Sequence, residues 1–425
     1  MAKILINKLR DIVGEKGVLD SFDFVDRSSV WGTNQPMKAL AVVCPKTTEQ
    51  LSGILSLCND QDQSVVPIGG MTNLVQGAVT TSDDLAISFE KMNLIECIDN
   101  ANNTLIAQSG VTLQDAQSYA DDHGLYFPID IGARGNCMLG GNVSTNAGGT
   151  RVIRYGMIRE SVLGLEAVLA DGTIVSSMNT LLKNNSGFDL KQLFIGTEGL
   201  LGLITRIVFR LHPKPRSHNV ALVACNNYEQ VMHLLSYARE SFGNSLCGFE
   251  VMWDNYFHNV VKPVGRLSSP IEPIYEYYVI IECIGSHQET DDEIFETSLT
   301  TMLQEGVVSD GVVAKSDFER DEIWSIRHDV EWLIRDALVF DISLPINNFP
   351  EYIRTITEHI KTESNGAKVI TFGHLGDNNL HVSVVCEDAR SKHMSKIQHA
   401  VGFDISKEAL EVAEKKCQDF TKWEK

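Results

Sequence analysis

The stretch Pro128–Gly156, PIDIGARGNCMLGGNVSTNAGGTRVIRYG, holds seven glycines interleaved with Asn136, Asn142, Ser144, Thr145 and Asn146. Side chains that small bury too little apolar surface to build a core. They do let a backbone run close to a ligand and offer it N–H groups. PIGGMTNLVQGA (67–78) has the same character, and FIGTEGLLGLITR (194–206) adds three glycines beside a lone Glu198. Together these loops suit one large phosphorylated cofactor gripped mainly by main chain; taken singly, each also reads as a tight turn. No two glycines are separated by a single residue, so the Rossmann fingerprint is absent. No Gly-Lys-Ser/Thr follows a glycine loop, so there is no P-loop either. A dinucleotide would have to be held by a different fold.

Two further constellations lie in the second half. In GHLGDNNLH (373–381), His374 and His381 flank a Gly-Asp-Asn-Asn turn, so the chain can fold back and aim both imidazoles at one point. Paired histidines suit a divalent metal such as zinc; the same spacing also serves a hydrogen-bonded turn with two polar histidines. Arg327 sits in EIWSIRHDVEWLI (322–334), read as one helix with an apolar stripe of Trp324, Val330 and Leu333. Arg327 lies apart from that stripe, as a solvated surface arginine would. Its fork would nonetheless suit a carboxylate.

The bulk properties are those of a globular enzyme. A chain of 425 residues can hold two or three domains with sizeable cores. Hydrophobic content is 43% and mean hydropathy −0.06, with no apolar run long enough to span a bilayer. The N-terminus, MAKILINKLRDIVGEKG, mixes charge and apolar residues at helical spacing and has no signal-peptide core. Nine cysteines without CxxC pairs argue against a disulfide framework and for a reduced, cytoplasmic protein. A net charge of −20 disfavours nucleic acid or an anionic membrane as partner. A small anionic substrate stays open, provided a few cations are focused at its site.

The elements that must position these residues read as α+β without internal repeats. ALAVVCP (39–45) is strand-like and leads into a helix capped by Thr47, with Gln50 at capping-box spacing and Leu51, Ile54, Leu55 and Cys58 on one face. SVVPIGG, DLAISF (84–89) and NTLIAQSGV (103–111) read as strands, and Thr112 caps a helix ending at Gly124. SVLGLEAVLADGTIVS (161–176) reads as a hairpin turning at Asp171-Gly172, and LITRIVFRLHPKP (203–215) as a strand stopped by prolines. Of the 32 glycines, 22 precede Arg216, which assigns the cofactor surface to the first half. Residues 220–313 then read strand, helix, strand, strand, helix, strand, with helices near 228–242 and 291–304. YEYYVIIECIG (275–285) is apolar on both faces, as a covered sheet requires.

PIGGMTNLVQGA, GARGNCMLGGNVSTNAGG, RYG, LGLEAVLADGT, GFDLKQLFIGTEGLLGLIT, DISLP (341–345) and GHLGDNNLH occur in an order that carries a resemblance. The chain resembles, from about Leu19 to about Val385, the FAD-linked oxidoreductases with the vanillyl-alcohol-oxidase or PCMH-type (p-cresol-methylhydroxylase-type) flavin domain. Within them it is similar to the group of D-2-hydroxyglutarate dehydrogenase, D-lactate dehydrogenase and the glycolate oxidase flavoprotein subunit. The resemblance implies a PCMH-type FAD-binding domain of two α/β subdomains (37–215) followed by an α+β substrate cap (216–390). A helical segment (1–36) would precede them and a helical tail (391–425) follow. It also implies that Gly69, Gly70, Thr72 and Asn73 hold the FAD pyrophosphate, with Pro67 and Gly77 as further cofactor-binding residues. Pro128, Gly132, Gly140, Gly141, Asn142, Thr145 and Gly148 would wrap the flavin-proximal part, with Glu198, Gly199 and Ile204 along the adenosine-ribityl side. Met71 lies in the first loop, where no histidine or cysteine stands, so FAD is expected to be non-covalent. Arg327 would bind the substrate carboxylate, and His374 and His381 would ligate zinc that polarises the 2-hydroxyl.

The sequence departs from that group at three places. Val339 stands where the 2-hydroxyglutarate enzymes carry lysine, and Ser383 where they carry asparagine, which removes polar contacts to a second carboxylate. The group continues into a Glu-His-Gly segment that gives a third metal ligand and a catalytic histidine, whereas Gln398-His399 is the only echo here. The expectation is therefore a shortened C-terminus, with the general base unassigned. The expected reaction is oxidation of a D-2-hydroxy acid to its 2-oxo acid by hydride transfer to FAD. Its electron acceptor is unspecified, and a homodimer is compatible. The competing readings are an FAD-binding protein with little turnover and an oxidase acting on an unrelated alcohol.

Overall fold

The computed structural model describes residues 2–24, 26–28, 36–74, 76–262, 265–363 and 366–385. The expected C-terminal tail, Gln398-His399 included, lies outside the described residues. The chain divides into two compact units, Met1–Arg216 and Ser217–Lys425.

Among its described residues the first unit contains a two-stranded sheet that pairs Leu125–Tyr126 with His212–Pro213 and two larger sheets. One runs Val18–Leu19, Ala41–Val43, Leu85–Ser88, Val65–Ile68, parallel apart from its first pair. The helices Ala2–Val13 and Thr48–Asp60 bury Leu5, Leu9, Leu51 and Ile54 in its core. Thr47 caps the second helix by accepting from the Gln50 N–H at 3.2 Å, and Gln50 Oε1 accepts from the Lys46 N–H in return. The second sheet is antiparallel, in the order Ile95–Asp99, Thr104–Gln108, Leu203–Arg210, Val162–Val168, Ile174–Ser177. Its last two strands are the hairpin that turns at Asp171-Gly172, where Gly172 has φ +88°. Thr112 caps the helix Leu113–Asp122 beside this sheet.

The second unit is one antiparallel sheet of seven strands. Their order is Asp310–Val313, Ser217–Cys225, Tyr277–Gly285, Leu246–Trp253, Lys368–Gly373, Asn379–Val385, Ala337–Ser343. The helices Asp254–Val260 and Asp317–His328 pack Tyr256, Phe257, Trp324 and Ile326 onto a face formed by Leu222, Met252, Ile280 and Phe372. The helices Tyr228–Phe242 and Gln288–Gln304 bury Leu234, Leu235, Phe295 and Leu299 against the same strands. Helices thus cover the central strands, which explains why YYVIIECIG shows no polar alternation beyond Glu282.

The stretch 322–334 is not one helix. It stops at His328 and restarts at Glu331, so Val330 lies outside the helix that carries Arg327. Tyr256 Oη is in reach of the carbonyls of Ile326 (3.0 Å), Arg327 (3.0 Å) and Asp329 (3.3 Å), occupying acceptors that the helix end leaves open. At the other end, Ser316 accepts from the Glu319 N–H, and Glu319 Oε2 accepts from the Lys315 N–H at 2.6 Å. Replacing Ser316 by Ala is expected to cost about 1 kcal/mol. In thermal denaturation that is a fall in Tm of about 2–4 °C for a unit of this size.

Candidate active site

In the first unit the glycine loops converge on a cavity of about 300 Å³. It is lined by Pro67, Gly69, Gly70, Thr72, Asn73 and Gly77 from the first loop. Gly140, Gly141, Asn142 and Thr145 from the second and Glu198, Gly199 and Ile204 from the third complete the expected set. Three expected residues do not line it. Pro128 is buried within its own segment, Gly132 gives way to its neighbours Ile131 and Ala133, and Gly148 packs towards Met157. Ser109, Met138 and Leu203 also line the wall and were not anticipated, because nothing local distinguishes them from core residues. The backbone is strained around this cavity: Met71 (φ 55°), Asn146 (φ 49°) and Glu198 (φ 54°) are left-handed without being glycine.

The glycines themselves fall into two groups. A Cβ on Gly70 would lie 1.8 Å from the Asn136 carbonyl oxygen, and one on Gly140 2.5 Å from the Ser109 Cβ. Those two are demanded by the fold itself. A Cβ on Gly141 would meet no protein atom within 4 Å, although Gly141 lines the cavity. The protein itself leaves room for a side chain there. The cradle fits an elongated dinucleotide held by main chain, and FAD would be held by these loops.

In the second unit, Glu250 is fully buried in the strand Leu246–Trp253. Its Oε2 accepts from Arg327 Nε at 2.8 Å and its Oε1 from His374 Nδ1 at 2.5 Å. Arg327 is 5% exposed, so the solvated-surface alternative for it is wrong: a partner distant in sequence draws it inward. Its Cζ lies 4.6 Å from the centre of the Phe372 ring. Phe372 in turn packs against His381 (5.1 Å between ring centres), and His381 meets His374 edge-on at 4.9 Å. The turn thus brings both imidazoles together, as the spacing suggested. Gly373 permits it, since a Cβ there would lie 2.6 Å from the Asn379 carbonyl oxygen. Glu250 was missed; the one signal was an acid in an otherwise apolar strand.

The electrostatics follow from this packing. Burial pushes the Glu250 carboxyl up, but His374 and then Arg327 outweigh it and hold it well below the usual carboxylate range. Burial lowers the His381 pKa, opposed by a hydrogen bond to Asp341, whose Oδ1 lies 3.5 Å from Nδ1. Burial raises Asp377, in the turn itself, to about 6. Both histidines therefore present Nδ1 to a carboxylate, an arrangement that suits the orientation of metal-binding imidazoles. Among the described residues, no group of three or more His, Cys, Asp or Glu side chains is placed to hold a metal ion. The donor set fits part of a metal site only. The departure positions Val339 and Ser383 are direct cross-strand partners, two residues from the Asp341–His381 pair and on its face.

Residues 39–177 match the FAD binding domain family, and residues 214–413 the C-terminal domain of FAD linked oxidases. The chain is 34% identical over 397 residues to a mitochondrial D-2-hydroxyglutarate dehydrogenase of Arabidopsis thaliana, covering 92% of this chain and 70% of that protein. It is 33% identical over 357 residues to a D-2-hydroxyglutarate–pyruvate transhydrogenase of Saccharomyces cerevisiae, covering 82% of this chain and 72% of that protein. Its fold is similar to that of p-cresol methylhydroxylase with substrate bound, with a TM-score of 0.73 at 16% identity. That match covers 94% of this chain and 85% of the other.

The two groups of glycines separate in an experiment. Gly141→Val is expected to fold with nearly unchanged Tm yet lose the flavin absorbance of the purified protein. Gly70→Ala should lower Tm whether or not FAD is added. Retained FAD in Gly141→Val would remove that residue from the cofactor surface.

Proposed function

The chain belongs to the FAD-linked oxidases, in the group that holds the D-2-hydroxyglutarate dehydrogenases, and from that premise we propose that it oxidises a D-2-hydroxy acid to the 2-oxo acid. FAD is its cofactor and, when bound, supplies the hydride acceptor that such an oxidation needs. The observation that carries the substrate class is the Arg327–Glu250–His374 constellation. With Nε held by Glu250, the terminal nitrogens of Arg327 have no protein partner among the described residues and form a fork for a substrate carboxylate. The paired imidazoles, joined to Arg327 through Phe372, would then stand at the 2-hydroxyl. In our reading His374 and His381 also hold a divalent metal, zinc by its affinity for imidazole nitrogen, which would acidify that hydroxyl. Without metal, one of the two would accept the hydroxyl proton instead.

Val339 and Ser383 carry no charge on the neighbouring stretch of the same sheet face, which favours an uncharged substrate side chain over a second carboxylate. The described cysteines are free, which supports a reducing compartment, and we keep the cytoplasm as part of this proposal. No described helix is long and apolar enough to cross a membrane.

The test is anaerobic bleaching of the bound flavin by a panel of D- and L-2-hydroxy acids that includes lactate and 2-hydroxyglutarate. D-acids should bleach it, and an FAD-loaded protein that none of them reduces would be a binding protein instead. Arg327→Met should leave FAD bound and lower the efficiency of reduction about 30-fold or more, since a desolvated charge-assisted contact contributes roughly 2–5 kcal/mol. With two described protein ligands, zinc should be lost on dialysis against a mild chelator. Stoichiometric zinc retained through that dialysis would require a third protein donor.

A further inference from the structure

Glu250 has no described counterpart among the cofactor or substrate contacts, yet it is where the cap's chemistry converges. It lies on a strand whose residues are all buried, and its two oxygens go to different partners on different elements. Oε2 takes Arg327 Nε from the end of the helix Asp317–His328, and Oε1 takes His374 Nδ1 from the start of the turn. A carboxylate can only accept. His374 must therefore carry its proton on Nδ1, which leaves Nε2 as the nitrogen that faces chemistry. The same carboxylate occupies the Nε edge of Arg327, so a substrate carboxylate can meet only the opposite end of the guanidinium.

We propose that Glu250 is a positioning residue that fixes the Nδ1-protonated tautomer of His374 and the free edge of Arg327 with one side chain. The consequence is a fixed spacing between the carboxylate anchor and the reactive imidazole. This inference rests on the hydroxy-acid reading for its role in turnover, but its structural half does not.

Glu250→Gln tests both halves because it is isosteric. Its amide oxygen can still accept from Arg327 Nε, while its amide nitrogen can only donate to His374 Nδ1. The proton on the imidazole must then move to Nε2. Long-range 1H–15N correlation spectra of the FAD-loaded full chain, labelled with 15N-histidine, report the tautomer directly, with His374→Gln identifying the signal. The expected result is Nδ1–H in the wild type and Nε2–H in the variant. Flavin reduction by D-lactate or D-2-hydroxyglutarate should fall about 10–100-fold in its limiting rate with FAD retained, as for other lost orienting contacts. An Nε2–H tautomer in the wild type overturns the proposal outright, even if the variant does not fold. An unchanged tautomer in a folded variant, or a loss of Tm with an unchanged limiting rate, also overturns it. A tautomer switch in a protein whose flavin no hydroxy acid reduces would sink the hydroxy-acid reading and leave the tautomer assignment standing.

Discussion

An ionised carboxylate in the middle of a covered sheet is the constraint around which the second unit's site is arranged. Glu250 has no solvent exposure, and its surroundings on that face are Met252, Ile280 and Phe372. Left alone there, it would take up a proton, because burial opposes the charge. Arg327 and His374 keep it ionised, and removing one partner of such a buried pair typically costs about 3–5 kcal/mol. Several local features follow from that requirement. The helix carrying Arg327 ends one residue later, where Tyr256 caps its last carbonyls, so that the guanidinium reaches the strand. The chain turns sharply after Gly373 so that the next residue reaches the other oxygen.

The first unit solves a different problem with glycine. Gly70 and Gly140 are where one loop passes over another, and a methyl group would collide with protein. Gly141, next to Gly140 in the same motif, instead has open space in front of it and lines the cavity. Met71 and Glu198 are left-handed without being glycine on the wall of that cavity, where the surrounding structure holds them.

Local chemistry made much of this legible in the sequence. The Thr47 and Thr112 caps, the Asp171-Gly172 hairpin and the glycine loops each depend on residues a few positions apart, and the structure has them. The histidine pair was legible for the same reason, because a short turn joins its members. Arg327 was not. It stands four residues after Ile323 and three after Trp324, on the buried face of its helix, but a charged residue there reads as solvated because the carboxylate that buries it is 77 positions away in the chain. The break at His328 was hidden too, since Val330 and Leu333 continue an apolar spacing across it. Pro128 and Gly148 share the composition of a ligand loop but lie off the cavity wall, Gly148 against Met157. What sequence spacing cannot carry is a contact closed through a sheet.

The sheet register also sets two neighbouring rows of side chains on one face. Phe372, His381 and Asp341 are directly opposed across adjacent strands, and Ile370, Ser383 and Val339 form the next row on the same face. Each row is held by its own cross-strand contacts. Ser383 is fully buried and its hydroxyl has no hydrogen-bond partner, while Val339 is partly exposed. Neither contributes to the hydrogen bonds that orient His374, His381 or Arg327. That second row can therefore change from charged to apolar without disturbing the Glu250 network. The second row stands apart from the Glu250 network because Arg327 reaches that carboxylate from a helix and His374 from a turn, and of the three only His381 belongs to the neighbouring row.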